Sequence, residues 1–146
     1  MKQSLNRILR VVVAICLIFV VLTPNVASAA VKPPVDPQAS NYIAGYHGYI
    51  ARSGSTIQPV FSIAGPGMMD KIGATEIYLY ESSDGVNYTM VKSYRHSNYS
   101  NMLAYNTSAY GSYMTYTGNA NCYYKARVTV FAGKGSGGDS RTFWAY

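Results

Sequence analysis

His47, His96 and Cys122 are the side chains here with the reach for acid–base or nucleophilic work. A nucleophilic site needs a thiol or hydroxyl beside a base that a third group orients. No local spacing assembles that set. His47 stands between Tyr46 and Gly48, and His96 lies in the polar run YRHSNYSN. A pair of either histidine with Cys122 would require long-range convergence in an electropositive pocket. The expectation is therefore a protein that is not an enzyme, with both histidines at the surface or in packing roles. A small hydrolase stays as the minor alternative, and would need one imidazole to meet a carboxylate and a hydroxyl in a cleft. Cys122 reads either as a small buried hydrophobe or as one half of an intermolecular disulfide.

Metal chemistry fares no better. The sequence has no H-x-x-x-H, no paired C-x-x-C and no D-x-D-x-D-G loop. The run SSDG (82–85) brings one carboxylate, too few for a calcium ion that takes 6–8 oxygens. GKGSGGDS (133–140) mixes Gly and Lys as phosphate loops do, but departs from G-x-x-x-x-G-K-[ST] and precedes no helix. It reads as a flexible loop, and no cofactor or metal is expected.

Tyrosine remains. The chain has 15 of them, and EIYLYESSDGVNYTMVKSY (76–94) places Tyr78, Tyr80 and Tyr88 near one turn. Tyrosine suits strands and stacks across them, and its apolar body with a polar tip also suits binding surfaces. Ile77 and Leu79 alternate with Tyr78 and Tyr80, so the aliphatic pair should face a core and the rings should face outward. Tyr105, Tyr110, Tyr113 and Tyr116 are too many for one inward face, so some rings must be exposed. The candidate binding residues are Tyr78, Tyr80 and Tyr88 with the nearby cations Lys92, Arg95 and Arg127. Their partner would be a cell-wall polysaccharide or a surface protein. A secreted antimicrobial or competition factor is the alternative role.

These residues need a scaffold, and the chain shows no helical period. Short alternating runs between turn residues predict an all-β fold: an antiparallel sandwich of about seven strands over residues 41–146. First strands are expected at 42–51 and 56–65, with Pro59 at an edge or a strand start and Gly65-Pro66-Gly67 as a turn. A hairpin follows across Ser82–Gly85, where Gly85 can take positive φ and close a type I turn with a bulge. Residues 100–118 form one strand or two, broken near Gly111. In CYYKARVTVFA (122–132), Cys122, Tyr124, Ala126, Val128 and Val130 share one face, and Tyr123, Lys125, Arg127 and Thr129 share the other. A last strand covers 141–146.

Upstream, Lys2, Arg7 and Arg10 precede VVVAICLIFVVL (11–22). That run is too short for a bilayer core, which needs about 20 residues. Thr23-Pro24 ends it and ASAA (27–30) supplies the small residues of a cleavage site. This pattern predicts a signal peptide over 1–29, cleaved near Ala29, and so a secreted, extracellular protein with no membrane span after cleavage. Proline-rich residues 30–40 read as an extended spacer. Losing Lys2, Arg7 and Arg10 leaves nine basic residues against six acidic, a balance of +3 that does not point to nucleic acid.

The hairpin KIGATEIYLYESSDGVNYTMVKSY, the late YYKARVTV, the Gly-rich loop and the closing strand together resemble a family of small secreted Gram-positive bacterial proteins of unknown function. The likeness covers most of 43–146 and is strongest at DKIG (70–73), the DG turn and YYKARV (123–128). It implies a signal peptide plus one domain, and carries no catalytic motif. The late strand is also similar to one in fibronectin type III and immunoglobulin-like sandwiches. There a tyrosine near the strand start hydrogen-bonds the neighbouring corner. Tyr124 is the candidate for that structural role, with Tyr123 next.

Overall fold

Residues 56–82 form one continuous strand, and the rest of the fold is arranged along it. The structure is a computed structural model that describes residues 40–146. The predicted leader (1–29), and the spacer up to residue 39, lie outside the described residues. The strands are β1 (Gly45–Ser53), β2 (Thr56–Ser82), β3 (Thr89–Arg95), β4 (Leu103–Tyr113), β5 (Tyr116–Thr117), β6 (Tyr123–Lys134) and β7 (Gly137–Ala145). One 3-10 turn, Ser100–Met102, precedes β4. No helix among the described residues is long and apolar enough to cross a membrane.

All pairings are antiparallel and form one seven-stranded sheet, curled into a half-barrel. Over Val60–Ala64, β2 pairs with β1 on one edge and β4 on the other. Over Lys71–Gly73 it pairs with β4 and β6. So β1 and β6 share one edge of β2, while β3, β4 and β5 share the other. β7 continues outward from β6, and its end curls back to β1, where the Ile50 N–H donates to the Tyr146 carbonyl at 3.0 Å. Two irregularities bend the long strand. Opposite β4, the register jumps from Ala64 to Met69, with Asn106 at φ 51° in β4 beside the jump. Opposite β6, Thr75 is an extra residue between Ala74 and Glu76, and its hydroxyl donates to the Thr129 carbonyl. One extra residue swaps the faces of everything after it. That is why Ile72 and Ala74, and then Ile77 and Leu79, all point inward.

The bend at 65–68 divides the sheet into two arms, and their inward faces meet in one buried cluster. Ile57, Phe61 and Ile63 come from the first arm, and Ile72, Ile77, Leu79, Val128 and Val130 from the second. Each such side chain contributes about 1.5–3 kcal/mol of burial. The alternation expected along 122–132 is present, with Ala126, Val128 and Val130 fully buried and Arg127 exposed.

Four local expectations are corrected. Gly65-Pro66-Gly67 does not reverse the chain; it is the bent stretch inside β2. Pro59 is not on a sheet edge: it is buried at the fourth position of β2, opposite Ile50 of β1. Its carbonyl accepts the Met114 N–H at 3.1 Å, so its ring nitrogen faces the same side, where β4 ends and β5 has not begun. The missing donor thus falls on a gap in the ladder. The strand break lies at Met114–Thr115, and Gly111 sits within β4. Finally, 133–140 is no flexible loop. β6 and β7 run through it and turn over Gly135-Ser136 alone, with Gly135 at φ 59°. The Asp70 carboxylate accepts the Gly135 N–H at 2.7 Å and anchors that turn.

The hairpin between β2 and β3 is where it was expected, but a carboxylate closes it. Asp84 Oδ1 accepts the Ser82 hydroxyl at 2.7 Å and the N–H groups of Val86 and Asn87 at 2.9 and 2.8 Å. Gly85, at φ 74°, donates to Ser82 Oγ, and the Tyr123 ring packs against it. These donors, the Asn87 N–H first, hold the Asp84 carboxyl far below its usual range. A depressed folded pKa adds stability above the unfolded value of about 3.9, and that stability is lost as pH falls through the folded value. Asp84→Asn should therefore be less stable than the parent at neutral pH, with the gap narrowing in acid. Urea midpoints from about pH 7 down to about pH 2 measure it. A gap that stays constant over that range would contradict the assignment.

Candidate binding face

Outward-facing positions on β3, β2, β6 and β7 lie side by side, because paired residues of neighbouring strands share a face. One row runs Ser93–Tyr78–Arg127–Trp144, and the next runs Met90–Tyr80–Lys125. Four strands about 4.8 Å apart make this face about 15 Å wide.

The rings and cations of the two rows touch. Lys125 Nζ lies 4.0 Å from the Tyr88 ring centroid and 4.9 Å from that of Trp144. Tyr80 and Trp144 meet at 5.5 Å with their planes 55° apart. The Arg127 guanidinium sits 5.0 Å from the Tyr78 ring. Arg95 hydrogen-bonds Tyr78, and its Nε is 3.6 Å from a Glu76 oxygen; both interactions raise its pKa, the Tyr78 bond more. Each cation–ring contact is worth about 0.5–1 kcal/mol at such exposure. The contacts therefore orient side chains more than they stabilise the fold. Trp144 is 42% exposed and Met90 52%, so the face is open to a ligand.

Of the residues singled out from sequence, Tyr78, Tyr80, Tyr88, Arg95 and Arg127 come together here. Lys92 does not. Its Cα pairs with inward-facing Leu79, and its ammonium lies 5.9 Å from the ring of buried Tyr94. Trp144 and Lys125 were missed. The signal for Lys125 was the outward register it shares with Arg127. For Trp144 it was the alternation Phe143–Trp144–Ala145: Phe143 pairs with Val128 and Ala145 with Ala126, which sends Trp144 outward.

A groove of about 360 Å³ lies on the outer side of the other arm. Tyr49 and Tyr113 flank Val60 there, and His47, Ser62 and Gly111 form the adjoining row. Among the described residues, no Lys, Arg, Asp or Glu lines it.

Elsewhere, Cys122 is buried and unpaired. The Tyr124 hydroxyl accepts the Asn119 N–H at 2.7 Å, on the corner five residues upstream, and also meets the Glu81 carboxylate. His96 Nδ1 lies 3.3 Å from the Thr75 carbonyl, and the His47 ring packs beside Tyr49. No family model matches this sequence, and neither a curated protein nor a solved structure matches it.

Proposed function

We propose that the domain is a secreted, non-catalytic binding module that holds a cell-envelope polysaccharide on the face built by β3, β2, β6 and β7. One observation carries this. Tyr78, Tyr80, Tyr88 and Trp144 gather on a single exposed face with Lys125, Arg127 and Arg95 between and beside them. Aromatic faces stack on the C–H faces of sugar rings, and such rings lose little conformational freedom on binding. Export rests on the leader pattern of residues 1–29, and membership of the secreted Gram-positive family rests on the motifs at 70–73, 84–85 and 123–128. The immunoglobulin-like sandwich is the finer reading of the fold. In its favour, β2 crosses from one arm to the other at 65–68, and the inward faces of the two arms share one core.

Sedimentation with purified cell envelope tests the role. The parent domain should pellet with the envelope. Trp144→Ala and Tyr80→Ala should stay in the supernatant with unchanged circular dichroism, since both rings are outward and partly exposed. Equal pelleting of the parent and both variants would remove this face from the function.

A further inference from the structure

We infer that the ligand of this face is an acidic polysaccharide, a sugar polymer bearing carboxylate or phosphate groups, rather than a neutral one. The inference rests on the binding role proposed above and adds the chemistry of the ligand.

The cations decide it. Lys125 and Arg127 stand two residues apart on β6, both on the outer face. Among the described residues, no carboxylate lies within ion-pair distance of either. Rings hold them instead: Tyr88 and Trp144 for Lys125, Tyr78 for Arg127. A ring orients a cation without neutralising its charge, and leaves the N–H donors unused. Only Arg95, at the margin, faces a carboxylate, that of Glu76. The face therefore presents uncompensated positive charge on groups already fixed in direction. Fixed donors lose less entropy when an anion arrives, and an Arg fork suits a carboxylate or phosphate oxygen pair.

Spacing agrees with a polymer. Residues two apart on a strand are about 6.7 Å apart, and neighbouring strands about 4.8 Å. Lys125 and Arg127 thus offer two anion contacts near Trp144: the Lys125 ammonium lies 4.9 Å from its ring, and Arg127 is its cross-strand neighbour. A sugar ring stacked on Trp144 would carry its charged substituent to one of the two cations. A neutral glycan would use the ring and leave both charges unmet. The groove between Tyr49 and Tyr113 has no charge to argue from.

Trp144 is the only tryptophan of the chain, so its fluorescence reports on the site directly. Three probes separate the possibilities: polygalacturonate, neutral galactan and poly-L-glutamate. Polygalacturonate should shift the Trp144 emission at the lowest concentration. Its affinity should fall roughly tenfold between about 50 and 200 mM salt, as expected when about two charges are neutralised. Lys125→Gln with Arg127→Gln should flatten that salt dependence while the emission of the free protein keeps its folded character. Galactan bound as tightly as polygalacturonate, without salt dependence, would overturn the acidic class and leave the binding role standing. Poly-L-glutamate bound equally well would reduce the site to a charge patch and overturn the sugar. Retention on the envelope that survives removal of its polysaccharide but not protease treatment would assign the face to a protein partner. No response to any probe, together with no retention on the envelope, would defeat the binding role itself.

Discussion

Gly73→Ala should cost the fold about 2–6 kcal/mol, a large share of the roughly 5–15 kcal/mol that holds a domain of this size together. Two costs combine. Gly73 is at φ 149°, where a residue with a Cβ is strained by about 1–3 kcal/mol. A Cβ there would also overlap the Met102 carbonyl oxygen and stand 2.9 Å from Leu103 Cα. Both are backbone atoms, so relief requires moving a strand, and overpacking of this kind costs about 1–3 kcal/mol or more. The site cannot yield easily, because Gly73 pairs with Leu103 on one side and Phe131 on the other. Two controls isolate the effect. Gly54→Ala meets the same kind of backbone restriction at φ 58° with open space around it, and should lose only about 1 kcal/mol. Gly45→Ala has neither problem and should be near neutral. Urea midpoints read the series, and a Gly73→Ala loss no greater than that of Gly54→Ala would refute the packing account.

Gly73 also shows where the sequence stops being informative. Its place in DKIG identified it as notable, but only the pairing on both sides explains why no other residue fits. β6 was legible because one face is buried and one is wet, and a period of two writes that directly into the residue types. Gly65-Pro66-Gly67 was misread because a bend within a strand and a reversal between strands use the same residues. Which one occurs depends on partners 40 or so positions away, at Thr107 and Ala109. The glycines of 133–140 were taken as flexibility, yet a Cβ at Gly133 or Gly138 would meet the Phe131 ring at 2.7 or 2.6 Å. They are small because a ring lies on them. The candidate face was half legible. The tyrosines and arginines could be placed outward strand by strand, but Trp144 joins them only once β7 is known to pair with β6. Lys92 leaves them because the register shifts between Leu79 and Tyr80.

Tyr124→Phe should destabilise the domain by about 2–3 kcal/mol, the other large effect, and the loss should depend on alkali in a way that identifies its origin. The hydroxyl closes the corner before β6. It accepts the Asn119 N–H at 2.7 Å and lies within hydrogen-bond distance of the Asn119 carbonyl, at 3.0 Å, and of the Glu81 carboxylate. Phenylalanine keeps the ring, which Tyr116 meets edge-on and the Arg52 guanidinium covers from 5.9 Å, so packing is preserved. What is lost is a bond to a charged group and the partner of a backbone N–H. Burial first, and then the Glu81 carboxylate, push the Tyr124 phenol up to about 12. A raised folded pKa means the stabilisation is complete below the unfolded value of about 10 and disappears as pH rises toward the folded one. The gap between parent and Tyr124→Phe should therefore be widest below about pH 10 and shrink above it. Tyr94, also raised to about 12 by burial, sets the control, since Tyr94→Phe breaks only the bond to the Thr115 carbonyl. Its gap at neutral pH should be the smaller, about 1 kcal/mol. Denaturant midpoints at about pH 8 and about pH 11 decide the matter. If the Tyr124→Phe gap is unchanged at the higher pH, the hydroxyl is not what holds the corner. In that case Tyr124 contributes through its ring alone, by its contacts with Tyr116 and Arg52.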